Sequence, residues 1–207
     1  MEGASIFSPE VSDEKRRLRA TLRQRRQRLG AGARRRLSVR ACARARAVVG
    51  RARRIGAYLP HGAELDPTWL MRRLERAGHV VYVPLVGRRA DQVLRFTPWR
   101  APFLVNRYGI REPRRRHTIK ASQLDLVIVP LVGFDESGTR LGQGGGHYDR
   151  TLAHLGRAGL RPQRIGLAFA CQQVPMLPRD RHDVPLTAVV TEQRVFRGLR
   201  TTYTHSH

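Results

Sequence analysis

Residues 124–150 read LDLVIVPLVGFDESGTRLGQGGGHYDR. LDLVIVPLVGF (124–134) is the most apolar stretch of the chain, and positions 142–146 then hold four glycines, Gly142, Gly144, Gly145 and Gly146. Continuous apolarity predicts a strand buried on both faces, as in the middle of a parallel sheet. After the glycines, YDRTLAHLGRAG (148–159) predicts a helix stopped by Gly159. Strand, glycine turn and helix leave backbone N–H groups uncovered at the carboxyl end of a sheet, where open α/β folds bind their ligands.

The flanking sequence keeps the same rhythm. RIGAYLP (54–60) predicts a strand, DPTWLMRRLERAG (66–78) a helix, and HVVYVPLV (79–86) another strand. In that helix Asp66 is the expected N-cap, Pro67 the first helical residue and Gly78 the stop. The order is that of a parallel βαβ unit. VLRFTPW (93–99), RIGLAFA (164–170) and LTAVVTE (186–192) supply further strands, and residues 100–120, with Pro102, Gly109, Pro113 and RRRH, predict a loop. Upstream, Leu18, Leu22 and Leu29 fall near helical spacing from Ser12 onward, with Asp13 and Glu14 suited to the first turn. LGAGA (29–33) breaks this helix, and a second is expected from about Ala33 to Val49. The expected fold is a single-domain three-layer α/β/α sandwich over residues 12–198. Its central sheet is mostly parallel and two N-terminal helices pack on it. Residues 1–11 are expected to be disordered and 199–207 a flexible tail.

The chain has 207 residues, enough for one sizeable core. Cys42 and Cys171 stand far apart with no CxxC pair, which predicts neither a disulfide framework nor a zinc site. There is no apolar run of about 18 residues and no apolar leader, so the expected location is cytoplasmic, away from membranes. Formal net charge is +24. The basic residues are almost all arginine, Lys15 and Lys120 being the only lysines, and they are spread along the chain. A GC-rich coding sequence produces such a bias. In RRRLSVRACARAR (34–46) no aromatic interleaves the arginines, as stacking on single strands requires. Charge therefore predicts nonspecific, salt-sensitive polyanion binding, not a specific nucleic-acid partner. The expected state is a monomer.

Glycines in this position suit a nucleotide's phosphates, Arg140 can add a charged fork, and Asp149 is a hard oxygen ligand for Mg2+. The motif GxxxxGK[ST] is absent because no lysine follows, and GxGxxG fails because His147 stands where its third glycine belongs. A bland reading is a tight turn, with Asp149 capping the next helix. The remaining candidates also have bland readings: Arg19 on a solvated helix face, Glu64 as a surface acid, Asp183 as an ion-pair partner, and Tyr58 as core or pocket wall.

The string RLGQGGGHYD narrows the choice. Together with KRRLR (15–19), RIGAYLPHGAELD (54–66), VPLVGFDESGTRLGQGGGHYDR (129–150) and HDVPLTAVVTE (182–192), it resembles the 5-formyltetrahydrofolate cyclo-ligase family, also called 5,10-methenyltetrahydrofolate synthetases. The resemblance implies ATP- and Mg2+-dependent ring closure of a reduced folate in one-carbon metabolism. It also implies residue roles. Lys15, Arg16, Arg17, Leu18 and Arg19 would meet the ATP phosphates, with Arg19 also near the folate. Arg140, Leu141, Gly142, Gln143, Gly144, Gly145, Gly146, His147 and Tyr148 would form the nucleotide loop. Gly144 to His147 would also border the formyl group. Arg140, Tyr148 and Arg19 would act in catalysis, Leu59, Glu64 and Tyr108 would hold the folate, and Asp149 and Asp183 would hold Mg2+. His147 departs from the family's usual tyrosine, which implies a pH profile shifted on its acid side. Gly145 stands where some members carry lysine. An ATP-dependent enzyme acting on another small molecule would share the loop and metal site, but would not need a glutamate after the first strand.

Overall fold

The computed structural model describes residues 9–85, 93–100, 103–105, 111–113, 117–153, 155, 162–180 and 183–197. Helices α1 (Pro9–Arg28) and α2 (Ala31–Val49) lead into a βαβ unit made of β1 (Arg54–Gly56), α3 (Thr68–Arg76) and β2 (Val80–Leu85). Next come β3 (Arg95–Pro98), the mutually paired β4 (Phe103–Val105) and β5 (Arg111–Pro113), and β6 (Ile119–Lys120). The apolar run forms β7 (Leu126–Pro130) and enters a small hairpin, β8 (Gly133–Phe134) with β9 (Arg140–Leu141). After the glycines come α4 (His147–Ala153), β10 (Gln163–Leu167), β11 (Ala188–Val190) and β12 (Val195–Arg197).

One eight-stranded sheet has the order β12-β11-β10-β7-β1-β2-β3-β6. The five strands from β11 to β2 run parallel, with antiparallel strands at both edges. From β1 the chain steps to β2 on one side, and later to β7 on the other. The direction of winding therefore reverses between β1 and β7, and a crevice opens beyond their carboxyl ends. The segments leaving those two strands carry Glu64 and the glycine loop.

Side chains alternate across the sheet. Ile55, Val81, Val83, Leu126, Ile128, Ile165 and Leu167 pack with α2 and α3. Phe96, Val127, Val129 and Val189 point the other way, against Leu124, Leu131 and Leu152 of α4. Cys42 lies in the first layer, and burial pushes its thiol up to about 12, so it behaves as a small apolar residue. Both cysteines are free. The two N-terminal helices pack differently. α2 lies on a sheet face, whereas α1 lies across the crevice end, where Leu18 and Leu22 join Val132, Leu141, Val174 and Leu177. Gly133 permits this approach, because a Cβ there would collide with the Leu22 side chain.

Several expected boundaries move. α1 begins at Pro9, so residues 9–11 are helical; proline favours a first helical turn, where a missing N–H costs nothing. α2 starts at Ala31, right after Gly30. Pro67 occupies the N-cap position of α3 instead of the first turn, and the Asp66 carboxylate accepts the Thr68 N–H at 2.8 Å from one residue further out. The segment 100–120 is not simply a loop. It contains β4 and β5, which satisfy each other's backbone groups, and β6, which pairs with β3. The expected stop of α4 at Gly159, the segment 1–8 and the tail 199–207 lie outside the described residues. No helix among the described residues is long and apolar enough to cross a membrane.

Candidate active site

Buried side chains fix the hairpin that presents the glycine loop. Asp135 is 3% exposed and accepts from the Ser137 N–H at 3.0 Å, the Ser137 hydroxyl at 2.6 Å, the Thr139 N–H at 3.1 Å and the Leu177 N–H at 3.0 Å. Buried Gln172 donates from Nε2 to the carbonyls of Leu131 and Val132. These bonds satisfy backbone groups at the point where β7 turns into β8. In the loop, Gly144 has φ +107° and Gly146 φ +64°, a region where side chains are strained. α4 then starts at His147, with Asp149 in its first turn.

One face of α1 is bonded to this loop step by step. Lys15 Nζ meets Asp183 Oδ2 at 2.6 Å. One turn on, Arg19 Nε donates to the Gly142 carbonyl at 2.9 Å. Another turn on, Arg23 Nη2 donates to Gln143 Oε1 at 2.8 Å and to its carbonyl at 3.2 Å. Gln143 Nε2 then donates to Glu64 Oε1 at 2.6 Å, while Glu64 Oε2 accepts the His61 N–H at 3.0 Å. The site is thus one bonded chain running from Asp183 along α1 and across the loop to the segment after β1. Of KRRLR, Lys15 and Arg19 face the loop. Arg16 is exposed and pairs with Asp13, Arg17 is exposed, and Leu18 packs beneath the helix. Leu141 is core.

At the other side of the loop, Arg140 Nη2 meets Asp149 Oδ1 at 2.5 Å, and the Val184 N–H reaches the same oxygen at 3.3 Å. Burial holds the Asp149 carboxyl above its usual range; Arg140 pulls it back, but the desolvation is larger. Asp183 Oδ2 also accepts the Asp180 N–H at 2.8 Å. Asp149 and Asp183 feel each other's charge. Two carboxylates suit Mg2+, which takes one or two carboxylates and completes its shell with water and phosphate oxygens. A closed metal cage is not what this site offers: no group of three or more His, Cys, Asp or Glu fit to hold an ion occurs among the described residues.

Two buried polar atoms here have no hydrogen-bond partner among the described residues, Arg140 Nε and the Tyr148 hydroxyl. Such orphans are costly unless a ligand completes them. Burial, reinforced by the charge of Glu64, raises the Tyr148 phenol, which stays a protonated donor. His147 is half-buried; desolvation, then Arg150, lowers its pKa below the ordinary 6.5, so it is neutral at neutral pH. Tyr58 belongs to the core, its hydroxyl bound to the Leu65 carbonyl at 2.7 Å, and Leu59 packs half-buried beside it. Tyr108 and His182 lie outside the described residues.

Sequence reasoning missed Arg23, Asp135 and Gln172. The four-residue spacing of Lys15, Arg19 and Arg23 was a usable signal, but forty basic residues obscure it. Asp135 and Gln172 act on backbone groups, and no sequence pattern announces that.

Comparison with known proteins finds relatives in both sequence and structure. Residues 11–192 match the model of the 5-formyltetrahydrofolate cyclo-ligase family. The chain is 40% identical over 146 residues to the 5-formyltetrahydrofolate cyclo-ligase of Escherichia coli strain K12, spanning 69% of this chain and 79% of that protein. It is 33% identical over 156 residues to the cyclo-ligase of Mycolicibacterium smegmatis, spanning 72% of this chain and 78% of that one. The solved structure of Aquifex aeolicus 5,10-methenyltetrahydrofolate synthetase aligns with a TM-score of 0.75 at 28% identity, covering 93% of this chain and 99% of that structure.

Proposed function

The chain belongs to the 5-formyltetrahydrofolate cyclo-ligase family, and from that premise we propose that it converts 5-formyltetrahydrofolate to 5,10-methenyltetrahydrofolate with ATP and Mg2+, releasing ADP and phosphate. The observation that carries the reading is the bonded chain joining the bases of α1, the glycine loop and Glu64 at the sheet's point of reversal.

The chemistry accounts for these residue types. A formamide carbonyl is a weak electrophile and its oxygen a poor leaving group. The formyl oxygen attacks the γ-phosphorus, ADP departs, and an imidoyl phosphate forms. N10 attacks the activated carbon, loses its proton, and phosphate leaves as the imidazolinium ring closes. Such transfer is driven mainly by positioning and charge neutralisation. Lys15 and Arg19 reach the phosphate chain from α1, with Arg16 and Arg17 adding to the basic field at its exposed side. The Gly142–Gly146 backbone cradles the phosphates. Arg140 and Tyr148 aim their free donors at the transferring group. Asp149 and Asp183 hold Mg2+, which when bound neutralises phosphate charge. Glu64 takes the donor pair of the pterin, Leu59 and Tyr108 line its pocket, and His147 closes the loop beside the formyl group.

Protein mixed with 5-formyltetrahydrofolate, ATP and Mg2+ should produce the absorbance of the methenyl product, and none without ATP or with a chelator. Asp149→Asn should lower the rate on the order of 100-fold or more while the protein stays folded. Product formation that ignores ATP would refute the scheme.

A further inference from the structure

The basic ladder of α1 has one more rung. Arg26 follows Arg23 by three residues and Arg19 by seven, so it projects from the same helix face, about 10 Å beyond Arg19 along the axis. The lower rungs are spent on Asp183, Gly142 and Gln143. Arg26 is only 6% exposed, its Nε is fully buried, and no hydrogen bond or ion pair involves its guanidinium among the described residues. An unpaired buried cation is destabilising unless something completes it. Glu64 is the chief favourable charge acting on it, and Tyr58 also lies within electrostatic reach. Arg26 thus lies one turn beyond Arg23, whose partner Gln143 is bonded to the carboxylate that ends the chain.

We propose that Arg26 is a substrate-recognition residue that donates to the 4-oxo oxygen of the pterin while Glu64 takes the adjacent donors. This rests on the folate reading of the site. A 2-amino-4-oxo pterin presents an amino group, a ring N–H and a carbonyl oxygen side by side, that is donor, donor, acceptor. A carboxylate satisfies the first two and can do nothing for the third. Arginine has donors only, and its planar fork suits an oxygen lying beside a carboxylate. In the structure Glu64 Oε1 already accepts an amide N–H from Gln143, the kind of donor that the pterin amino group would replace. Specificity follows, because a ring without the oxo oxygen leaves the buried guanidinium unpaired.

The test uses Arg26→Met and Arg26→Lys in the full chain, with three readouts: melting temperature without ligand, KM for 5-formyltetrahydrofolate and KM for ATP. Arg26→Met should melt at or above the parent, because it removes an uncompensated buried charge. It should raise the folate KM about tenfold or more, as loss of a charged hydrogen bond does, and leave the ATP KM unchanged. Arg26→Lys should recover part of the folate KM. A folded Arg26→Met with the parent's folate KM overturns the assignment. So does a lower melting temperature with both KM values raised equally, which marks a structural role. If the parent itself neither binds nor converts 5-formyltetrahydrofolate, the proposed function fails and the assignment falls with it. An active parent matched by Arg26→Met removes the assignment alone.

Discussion

Gly145 sits against the His147 ring so closely that a Cβ on it would come within 3.0 Å of the ring Cδ2. The two positions at which the loop departs from its resemblance are therefore one packing unit: a bare residue at 145 leaves room for the imidazole. Gly145→Ala should displace the ring and raise the KM values for ATP and folate, and His147→Ala in the same chain should restore most of the loss. A double-mutant cycle on kcat/KM reads this as a coupling of about 0.5–3 kcal/mol, and strict additivity would refute it. Arg140 and Asp149 stood out in the sequence by their place beside the glycines, whereas Glu64 and Asp183 stood out only through the family resemblance; the structure places all four around the loop and α1. Their partners did not stand out. Lys15 was expected at a phosphate and is found on Asp183, a contact across 168 positions of chain that no local pattern encodes.

α1 is the element on which the site depends most. Its seat is the close approach of Leu22 to Gly133. Gly133→Ala should force the helix outward and cost about 1–3 kcal/mol of stability in denaturant unfolding. It should also raise the ATP KM, because Lys15 and Arg19 move with the helix. Gly30→Ala is the control, since nothing lies within 4 Å of its added methyl and its φ of −51° suits alanine. Equal behaviour of the two variants would refute the role of the seat. Strands such as β7 and β10 and helices α2 and α3 were readable because apolar period and length distinguish them. The landing place of α1 was not, since an apolar stripe shows that a helix packs without showing on what. The β4–β5 pair escaped for a different reason: two three-residue strands that pair only with each other leave too short an alternation to read.

Across the whole molecule the charge of +24 acts as a field. Arg35, Arg36, Arg40, Arg44 and Arg46 are all exposed on α2, and no acid forms an ion pair with them among the described residues. The protein should bind duplex DNA of any sequence with an affinity that falls linearly in log–log against salt. Replacing these five arginines by glutamine should flatten that slope and leave ring closure at physiological salt unchanged. Dependence on base sequence would argue for a dedicated nucleic-acid site instead. A steady rate would show that the α2 surface and the α1 ladder are separate uses of the same residue type.

The bond between Lys15 and Asp183 bears on how the molecule is made. Translation delivers α1 before everything it binds: Val132, Leu141 and Gly142 come more than a hundred residues later, and Asp183 later still. While the ribosome is at work the helix has its apolar stripe and its basic rungs but nowhere to put them. The parallel strands can begin to pair during elongation, but the crevice can close only after Asp183 has been made. A nascent chain that has not yet reached Asp183 therefore lacks a contact that ties α1 over the crevice.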